Sequence, residues 1–359
     1  MMKDRWRSVR QAAGLAGALA IAAGLAIQPA GAAEKVKIAS AVSWPAYAFW
    51  EIVKTQNLAP DLDLEVTVLN DPTGGYAMLA TDQFQVYGST IDYAPIAAEQ
   101  GFPIRQVSLG TLSNGIDQVM MAPNMKVEDL RGKRVAAPEA FVGQLLVGYW
   151  LQKNGIQIDE VEWVNLNADE AAGALLGGDI ALAYMYEPWT SKVMENLPGA
   201  TLIAKSNQPL FLETAMIGDA IYMNEKFITE RRETAVKVMK AYWDAVQWWR
   251  DHPAEGNEIL SKSLEWPVSD TEFVLGKDGT AMDTEGVYPY TFQEAAIACG
   301  VADGEMPFGL VKGQIFKTYD IAAARWGDLG LVKSPAPADK GIDCSLMGDL
   351  VASGYTGKP

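Results

Sequence analysis

Residues 85–101 read QVYGSTIDYAPIAAEQG, and this stretch carries the pattern that decides the fold. Gln85–Gly88 is a short β-rich run, which predicts a strand. Asp92–Gln100 follows with a helical pattern, and Gly101 stands where helices commonly end. A strand followed directly by a helix is the repeating unit of a parallel sheet covered by helices.

The alternation of strand and helix continues on both sides of this stretch. Further strands are predicted at residues 36–39, 64–69 and 104–109, with helices at 46–55 and 75–80. A second unit has predicted strands at residues 134–137, 161–164 and 180–184, with helices at 143–154 and 168–176. The sequence therefore predicts an α/β protein with mostly parallel sheets flanked by helices.

The length of the chain indicates two lobes. Its 359 residues exceed the ~250–300 that one hydrophobic core usually supports. The predicted boundaries are 1–33 for a signal peptide, 34–119 for the first part of lobe 1, 120–218 for an inserted lobe 2, 219–270 for the return to lobe 1, and 271–359 for a C-terminal helical extension and tail. Gln118–Ala122 and Ala215–Met223 are interpreted as the two connections between the lobes, where a hinge is expected.

The first 33 residues have the three parts of a secretory signal. Lys3, Arg5, Arg7 and Arg10 form a basic start, residues 12–27 are Ala, Gly, Leu and Ile, and Ala30-Gly31-Ala32 resembles a cleavage site. An uncleaved anchor is the alternative, but the apolar run is shorter than the ~20 residues of a membrane span. We expect cleavage and export to the periplasm.

Charge and composition exclude several classes of function. With 29 basic and 45 acidic residues the net charge is −16, which disfavours nucleic acid as a partner. His252 is the single histidine, so neither a zinc cluster of His and Cys nor a Ser–His–Asp triad is expected. No glycine-rich phosphate motif with the required spacing is present. We therefore expect no catalytic residues, no metal and no cofactor, although acid–base chemistry by carboxylates stays open.

The two cysteines, Cys299 and Cys344, both lie near the C-terminus. In an oxidising compartment they could form a disulfide that fixes the tail to the body of the protein. Two separate buried thiols are the alternative, and the sequence does not decide between them.

Six phrases of the sequence together resemble one protein family. They are Ser43-Trp44-Pro45, Gly88-Ser89-Thr90-Ile91-Asp92, Ser113–Asp117, Val127–Val135, Leu175–Ala181 and Tyr186-Glu187-Pro188-Trp189. In this order they resemble the nitrate/sulfonate/taurine-type substrate-binding proteins of ABC transporters, which are related to proteins that bind pyrimidine precursors. The resemblance covers roughly residues 36–260. It implies a two-lobed type II periplasmic binding fold, and the helical pattern of residues 291–330 adds a helical C-terminal extension to it.

The resemblance also implies a function and partners. A monomeric binding protein would capture a small polar organic solute between its lobes by hinge closure and deliver it to an ABC permease at the inner membrane. Sulfonate-binding members often carry small hydroxyl residues at the start of the helix after Ala137, whereas this chain has Glu139 and Phe141 there. That departure argues against a simple anion such as nitrate. A ligand sensor for a receptor kinase, or an enzyme on the same scaffold, are the alternatives.

Ligands of such folds bind beyond the carboxyl ends of the strands, which selects the loops there as the site. The predicted ligand-binding residues are Ser43, Trp44, Tyr47, Ser89, Thr90, Asp92, Asn114, Asp117, Glu139, Phe141, Glu187, Trp189 and Asp219. Core packing is the alternative role for Tyr47, and helix capping for Thr90. The five carboxylates in this set predict a ligand with an amine or another cluster of N–H groups, as in taurine-like or nitrogen-heterocyclic compounds. Neutralisation by Arg or Lys that bridge the lobes is the alternative.

Overall fold

A computed structural model describes residues 33–279 and 285–358. The predicted basic start, apolar run and cleavage site fall on residues 1–32, outside the described residues. Within the described ranges, no helix has both the length and the apolar composition needed to cross a membrane.

The described residues form two sheets and the helices around them. The strands are β1 (Glu34–Ser40), β2 (Leu62–Val68), β3 (Val86–Thr90), β4 (Ile104–Asn114), β5 (Asp117–Met121), β6 (Arg134–Ala136), β7 (Glu162–Val164), β8 (Leu182–Tyr186), β9 (Thr201–Lys205), β10 (Gly218–Asn224) and β11 (Gly286–Pro289). The α-helices are α1 (Phe49–Thr55), α2 (Gly74–Ala80), α3 (Ala94–Glu99), α4 (Val142–Lys153), α5 (Ala168–Gly177), α6 (Trp189–Asn196), α7 (Pro209–Leu212), α8 (Glu225–Glu230), α9 (Arg232–Asp251), α10 (Pro253–Leu264), α11 (Val268–Leu275), α12 (Phe292–Ala298), α13 (Gln314–Asp328) and α14 (Ser345–Ala352). Short 3-10 helices cover Pro45–Tyr47, Ile91–Tyr93, Val127–Leu130, Ile158–Glu160, Pro307–Gly309 and Ala338–Lys340.

The first sheet has six strands in the order β11-β4-β10-β3-β1-β2. Strands β1, β2 and β3 pair in parallel, whereas β10 runs antiparallel between β3 and β4. Every residue of β3 and β10 is buried, as expected for central strands that are covered on both faces. The second sheet has the order β7-β6-β8-β5-β9, in which β6, β7 and β8 are parallel and β5 is antiparallel to both neighbours. The predicted α/β class with two sheets is confirmed.

The connections between the sheets lie mostly outside the two segments that the sequence predicted. Asp117–Met121 is a central strand of the second sheet, and Gly218–Asn224 is a central strand of the first. The apolar residues interpreted as connections, such as Val119 and Met120, are fully buried in these sheets. The chain instead passes between the sheets near residues 115–116 and 206–217. The lobe boundaries given above stay a prediction.

The two passages between the sheets are joined at Ser206. Its hydroxyl lies 2.6 Å from the hydroxyl of Ser113 and accepts a hydrogen bond from the backbone N–H of Gly115 at 2.8 Å. Gly115 has a φ of +98°, and a Cβ atom there would lie 2.9 Å from the side-chain amide nitrogen of Asn207. Glycine is therefore required where the two passages run side by side.

The C-terminal region is helical, as predicted, but it also extends the first sheet. The Gly, Asp and Tyr content of residues 276–290 predicts an exposed loop, whereas Gly286–Pro289 is a buried edge strand paired with β4. Helix α13 reaches several parts of the molecule. The Trp326 indole donates to the backbone carbonyl of Asp92 at 2.8 Å, Thr318 donates to the carbonyl of Thr214 at 2.7 Å, and Arg325 lies 5.2 Å from the ring of Tyr149. The extension thus contacts the first sheet, the return passage and α4.

The two cysteines form a disulfide, which decides between the two alternatives. Cys299 follows α12, Cys344 precedes α14, and their Cα atoms are 5.6 Å apart. The bond closes a loop of sequence separation 45 and fixes α14 to the body of the protein.

Replacing both cysteines, as C299A/C344A, is expected to lower the free energy of unfolding by about 2–4 kcal/mol, because the unfolded chain regains the freedom of that loop. Urea denaturation measures the loss, and reduced wild-type protein should show a similar one. An unchanged unfolding midpoint in both the variant and the reduced protein would contradict the disulfide.

Candidate functional site

A small cavity lies between the two sheets. The first sheet and its loops contribute Val42, Trp44, Tyr47, Thr90, Ser113, Gly218, Asp219 and Val287. The second sheet and its loops contribute Asp117, Phe141, Val142, Tyr184 and Tyr186. About 30 Å³ is open to the centre of a water-sized sphere, which is room for about two or three waters at 10–15 Å³ each.

The parallel strands bring these side chains together. Trp44 and Tyr47 follow β1, Thr90 ends β3, Phe141 follows β6, and Tyr186 ends β8. The carboxyl ends of parallel strands meet at one edge of a sheet, so residues far apart in the chain become neighbours. Pro45 starts the 3-10 helix that holds Tyr47, and the fixed φ of proline suits that position.

Asp219 is the carboxylate of the first sheet at the cavity. Its Oδ2 accepts hydrogen bonds from the Trp44 indole at 3.2 Å and the Thr111 hydroxyl at 2.5 Å, and the Tyr47 hydroxyl is a further partner. Burial raises its pKa to about 6; these hydrogen bonds oppose the rise, and the nearby Asp117 adds to it. Asp219 is therefore held in place by the residues that also form the cavity wall.

Asp117 is the second carboxylate and is the first residue of β5. The Tyr184 hydroxyl donates to its Oδ1. Burial raises the pKa of this carboxyl, while the Ser113 and Tyr184 hydroxyls lower it. Among the described residues that line the cavity there is no Lys or Arg. The cavity thus combines two carboxylates with no basic side chain to neutralise them.

Aromatic rings form much of the remaining wall. The centroids of Trp44 and Tyr186 are 5.2 Å apart with their planes at 66°, and those of Tyr184 and Tyr186 are 6.1 Å apart at 63°. Phe141 and Tyr47 lie on the same cavity. Steeply inclined rings present both faces and edges to the space between them, a geometry that suits a cation.

Thr90 has an unusual hydroxyl group. Only 4% of the residue is exposed, it lines the cavity, and its Oγ1 has no hydrogen-bond partner. Thr90 precedes the Ile91–Tyr93 helix without capping it through its side chain, so the alternative role of a cap does not hold. A buried hydroxyl without a partner is costly, and a ligand in the cavity would supply one.

The cavity brings together six of the thirteen predicted residues. These six are Trp44, Tyr47, Thr90, Asp117, Phe141 and Asp219. The other seven, Ser43, Ser89, Asp92, Asn114, Glu139, Glu187 and Trp189, lie outside its lining. The role of each as a ligand contact stays a prediction.

Several of the residues outside the lining have structural partners. Ser89 accepts a hydrogen bond from the Tyr76 hydroxyl at 2.7 Å in the core. The carboxylate of Glu187 accepts from the backbone N–H of Ser191 at 3.0 Å, at the start of α6. Trp189 lies under the ammonium group of Lys192 at 4.0 Å, and Glu139 is exposed. These contacts explain why charged and aromatic residues at strand ends need not face the cavity.

Asp92 is fully buried within the first lobe. Neither of its carboxylate oxygens has a hydrogen-bond partner. Burial raises its pKa to about 7, and the negative charge of Asp117 adds to the rise. Asp92 is therefore a third acid in the electrostatic neighbourhood of the cavity.

Ser113, Tyr184 and Tyr186 line the cavity although they are not among the residues predicted from the sequence. Tyr184 and Tyr186 are two positions apart in β8, so they point to the same face of the sheet, and the strand ends directly before Glu187-Pro188. This spacing of two tyrosines at the end of a strand is the sequence feature that could have identified them. Ser113 belongs to the family-like phrase Ser113–Asp117, but its place at the cavity depends on the contact of its hydroxyl with Ser206 in the other passage.

The raised pKa of Asp92 predicts a pH dependence of stability. Folding makes this acid bind its proton more tightly, so its contribution to stability is greatest below about pH 4 and is lost as the pH rises toward 7. The slope near pH 6 is roughly 1 kcal/mol per pH unit. We expect D92N to make the decline in unfolding free energy between pH 5 and 7 shallower, leaving the share of Asp117 and Asp219.

Urea denaturation at several pH values measures this slope. The matched control is D63N, because Asp63 is exposed on β2, and it should keep the wild-type slope. If D92N and D63N both showed the wild-type slope, Asp92 would not titrate as described.

The chain is similar to known proteins in sequence and in structure. The profile of the NMT1/THI5-like family matches residues 59–256. A protein of Brucella abortus (strain 2308), provisionally named a binding protein, is 23% identical over 202 residues, which is 55% of this chain and 62% of the relative. The aligned region thus spans less than two thirds of the length of the curated relatives.

Solved structures with the same fold cover most of the chain. The periplasmic nitrate-binding protein NrtA from Synechocystis PCC 6803 superposes with a TM-score of 0.65, 13% identity and coverage of 89% of both chains. The alkanesulfonate-binding protein SsuA from Xanthomonas axonopodis pv. citri, bound to MOPS, gives a TM-score of 0.64 at 16% identity, with 86% of this chain and 99% of that one covered. The desulfurization enzyme DszB gives a TM-score of 0.57 at 13% identity, with 89% and 99% covered.

At these identities the structural likenesses establish the fold alone, and they confirm the two-lobed periplasmic binding fold that the sequence phrases implied. The family profile reaches further, since it covers more than half of the chain and both sides of the cavity. This chain belongs to the NMT1/THI5-like family.

Proposed function

We propose that this protein is the periplasmic solute-binding component of an ABC importer. The observation that carries the proposal is the cavity, because it is enclosed by side chains of both sheets and contains the unpaired Thr90 hydroxyl. The family assignment and the binding protein from Brucella abortus support the same function. Export through the predicted signal peptide and delivery to a membrane permease are parts of this proposal.

Capture would proceed by closure of the two lobes. The chain passes between the sheets near residues 115–116 and 206–217, and these passages are joined at Ser206. A solute that contacts Trp44 from one side and Phe141 from the other binds the closed arrangement better than an open one. Such a ligand shifts the population toward the closed form, which is the form a permease would recognise.

The solute is a small polar organic molecule. A taurine-like or aliphatic sulfonate, or an amine or nitrogen heterocycle, are the classes that the sequence left open. A sulfonate needs several hydrogen-bond donors around its oxygens. The Trp44 indole and the Tyr184 hydroxyl already donate to Asp219 and Asp117, so few donors remain at the cavity. The lining therefore favours the amine or heterocycle.

An enzyme is the second candidate, because DszB shares the fold. The histidine and the two cysteines lie outside the cavity lining, however. His252 is exposed and stacks on Trp248 with a centroid distance of 4.7 Å, and both cysteines are in the disulfide. Asp117 and Asp219 are the acid–base candidates that remain. A ligand-sensing partner of a receptor kinase would use the same closure and would differ only in the protein that recognises it.

A thermal-shift screen of the exported protein tests the proposal. The panel contains sulfonates, taurine, nitrate, pyrimidines and small amines. A bound solute at about 100 times its Kd should stabilise the folded state by about 2.7 kcal/mol, which raises the melting temperature. Mass spectrometry of the recovered solute separates binding from chemistry, since a binding protein returns it unchanged.

We expect F141A to weaken the binding of a solute found in this way by about tenfold to a hundredfold, because it removes one wall of the cavity. The matched control is F273A, since Phe273 is 50% exposed on α11 and lies outside the cavity. Isothermal titration calorimetry measures both affinities. Equal affinity in F141A and wild type would place the site elsewhere, and a converted solute would support the enzyme.

A further inference from the structure

We propose that the solute is a small organic cation with N–H donors, such as a primary ammonium, an amidinium or a guanidinium, held between Asp117 and Asp219. This inference rests on the proposed function and names the class of solute for the same cavity. Four features of the cavity support it: its charge, its hydrogen-bonding capacity, its aromatic walls and its size.

The charge of the cavity is unbalanced. Asp117 and Asp219 face it from different sheets, and no Lys or Arg of the described residues lines it. The ion pairs identified among the described residues include neither of these acids nor Asp92. Neutralisation by Arg or Lys bridging the lobes therefore finds no support in this part of the chain.

Two carboxylates that face one small cavity are costly unless something neutralises them. Either they take up protons or a positive group enters between them. The amino end of α4, beside Phe141, adds only about half a positive charge, which does not offset two full negative charges. An anionic solute would add a third negative charge. A cation is the solute that removes the repulsion on closure.

The polar atoms of the cavity are mainly acceptors with spare capacity. The two carboxylates together offer about eight lone-pair positions, and five hydrogen bonds from Trp44, Tyr47, Thr111, Ser113 and Tyr184 use part of them. The Thr90 hydroxyl has no partner. A quaternary ammonium cannot donate to these acceptors, whereas an ammonium, amidinium or guanidinium can. The ligand is thus identified by its N–H groups as well as by its charge.

The aromatic walls and the small volume agree with this class. Trp44 and Tyr186 lie at 66° to each other, so a planar or tetrahedral cation meets at least one ring face. The enclosed space holds about two or three waters' worth of volume. The group held between the carboxylates is therefore limited to a few non-hydrogen atoms.

Calorimetric titration at pH 7.5 and low ionic strength tests the inference. The probes are ethylammonium, acetamidinium, guanidinium, tetramethylammonium, ethanesulfonate and taurine. We expect one or more of the N–H cations to bind, with tetramethylammonium at least tenfold weaker and the two sulfonates showing no heat of binding. D117N and D219N should each weaken cation binding by at least tenfold, while D63N, the exposed control on β2, should leave it unchanged.

The outcomes separate the two proposals. If taurine or ethanesulfonate binds, or if D117N and D219N leave the affinity unchanged, the cation inference is overturned and the solute-binding function stands. If neither these probes nor the wider solute panel binds, the proposed function itself fails. Should D219N not fold, as judged by circular dichroism, D117N and T90V carry the test, because D117N removes a negative charge and T90V removes a hydroxyl, each with little change in size.

Discussion

The proposed function depends on one electrostatic constraint, which is the placement of two carboxylates from different sheets at one small cavity that no Lys or Arg of the described residues lines. Asp219 belongs to the first sheet and Asp117 to the second, so any movement that separates the lobes also separates these charges. Closure without a neutralising group brings like charges together in a small, partly enclosed space. The closed arrangement is therefore favoured when Asp117 or Asp219 is protonated or when a cation is bound between them. The position of the lobes thus depends on what the cavity contains.

The fold brings the residues of the cavity together from both sheets. Parallel strands present Trp44, Thr90 and Tyr186 at one edge, and antiparallel β5 and β10 add the carboxylates at the same level. The two passages run side by side and are joined at Ser206, α13 contacts both the first sheet and α4, and the disulfide keeps the C-terminal region fixed to the body. In the proposed function, a solute that contacts both lobes favours their closed arrangement. The same scaffold occurs in a desulfurization enzyme, so the side chains at the cavity and not the fold decide the function.

Sequence patterns predicted the order of strands and helices because apolar periodicity is local. They also selected Asp117 and Asp219, because an acid within an apolar stretch must have a partner. Glu187 satisfied the same rule but serves the start of α6, a use that depends on a turn and not on composition. Strand β11 was interpreted as a loop, since its short Gly- and Tyr-containing segment forms a strand only by pairing with β4, far away in the chain. Local patterns thus locate strand ends, whereas the side chains that meet there depend on long-range pairing.

Proton release on binding is the most direct test of the central claim, that a cation enters between the two carboxylates. Burial raises the pKa of Asp219 to about 6, so near that pH part of the site carries a proton before a cation arrives. A bound cation lowers the pKa of the carboxyl and expels that proton. Titrating an N–H cation at pH 6 in buffers of different ionisation enthalpy should show release of up to about one proton per cation bound. Binding with no proton exchange, or with proton uptake, would contradict the account.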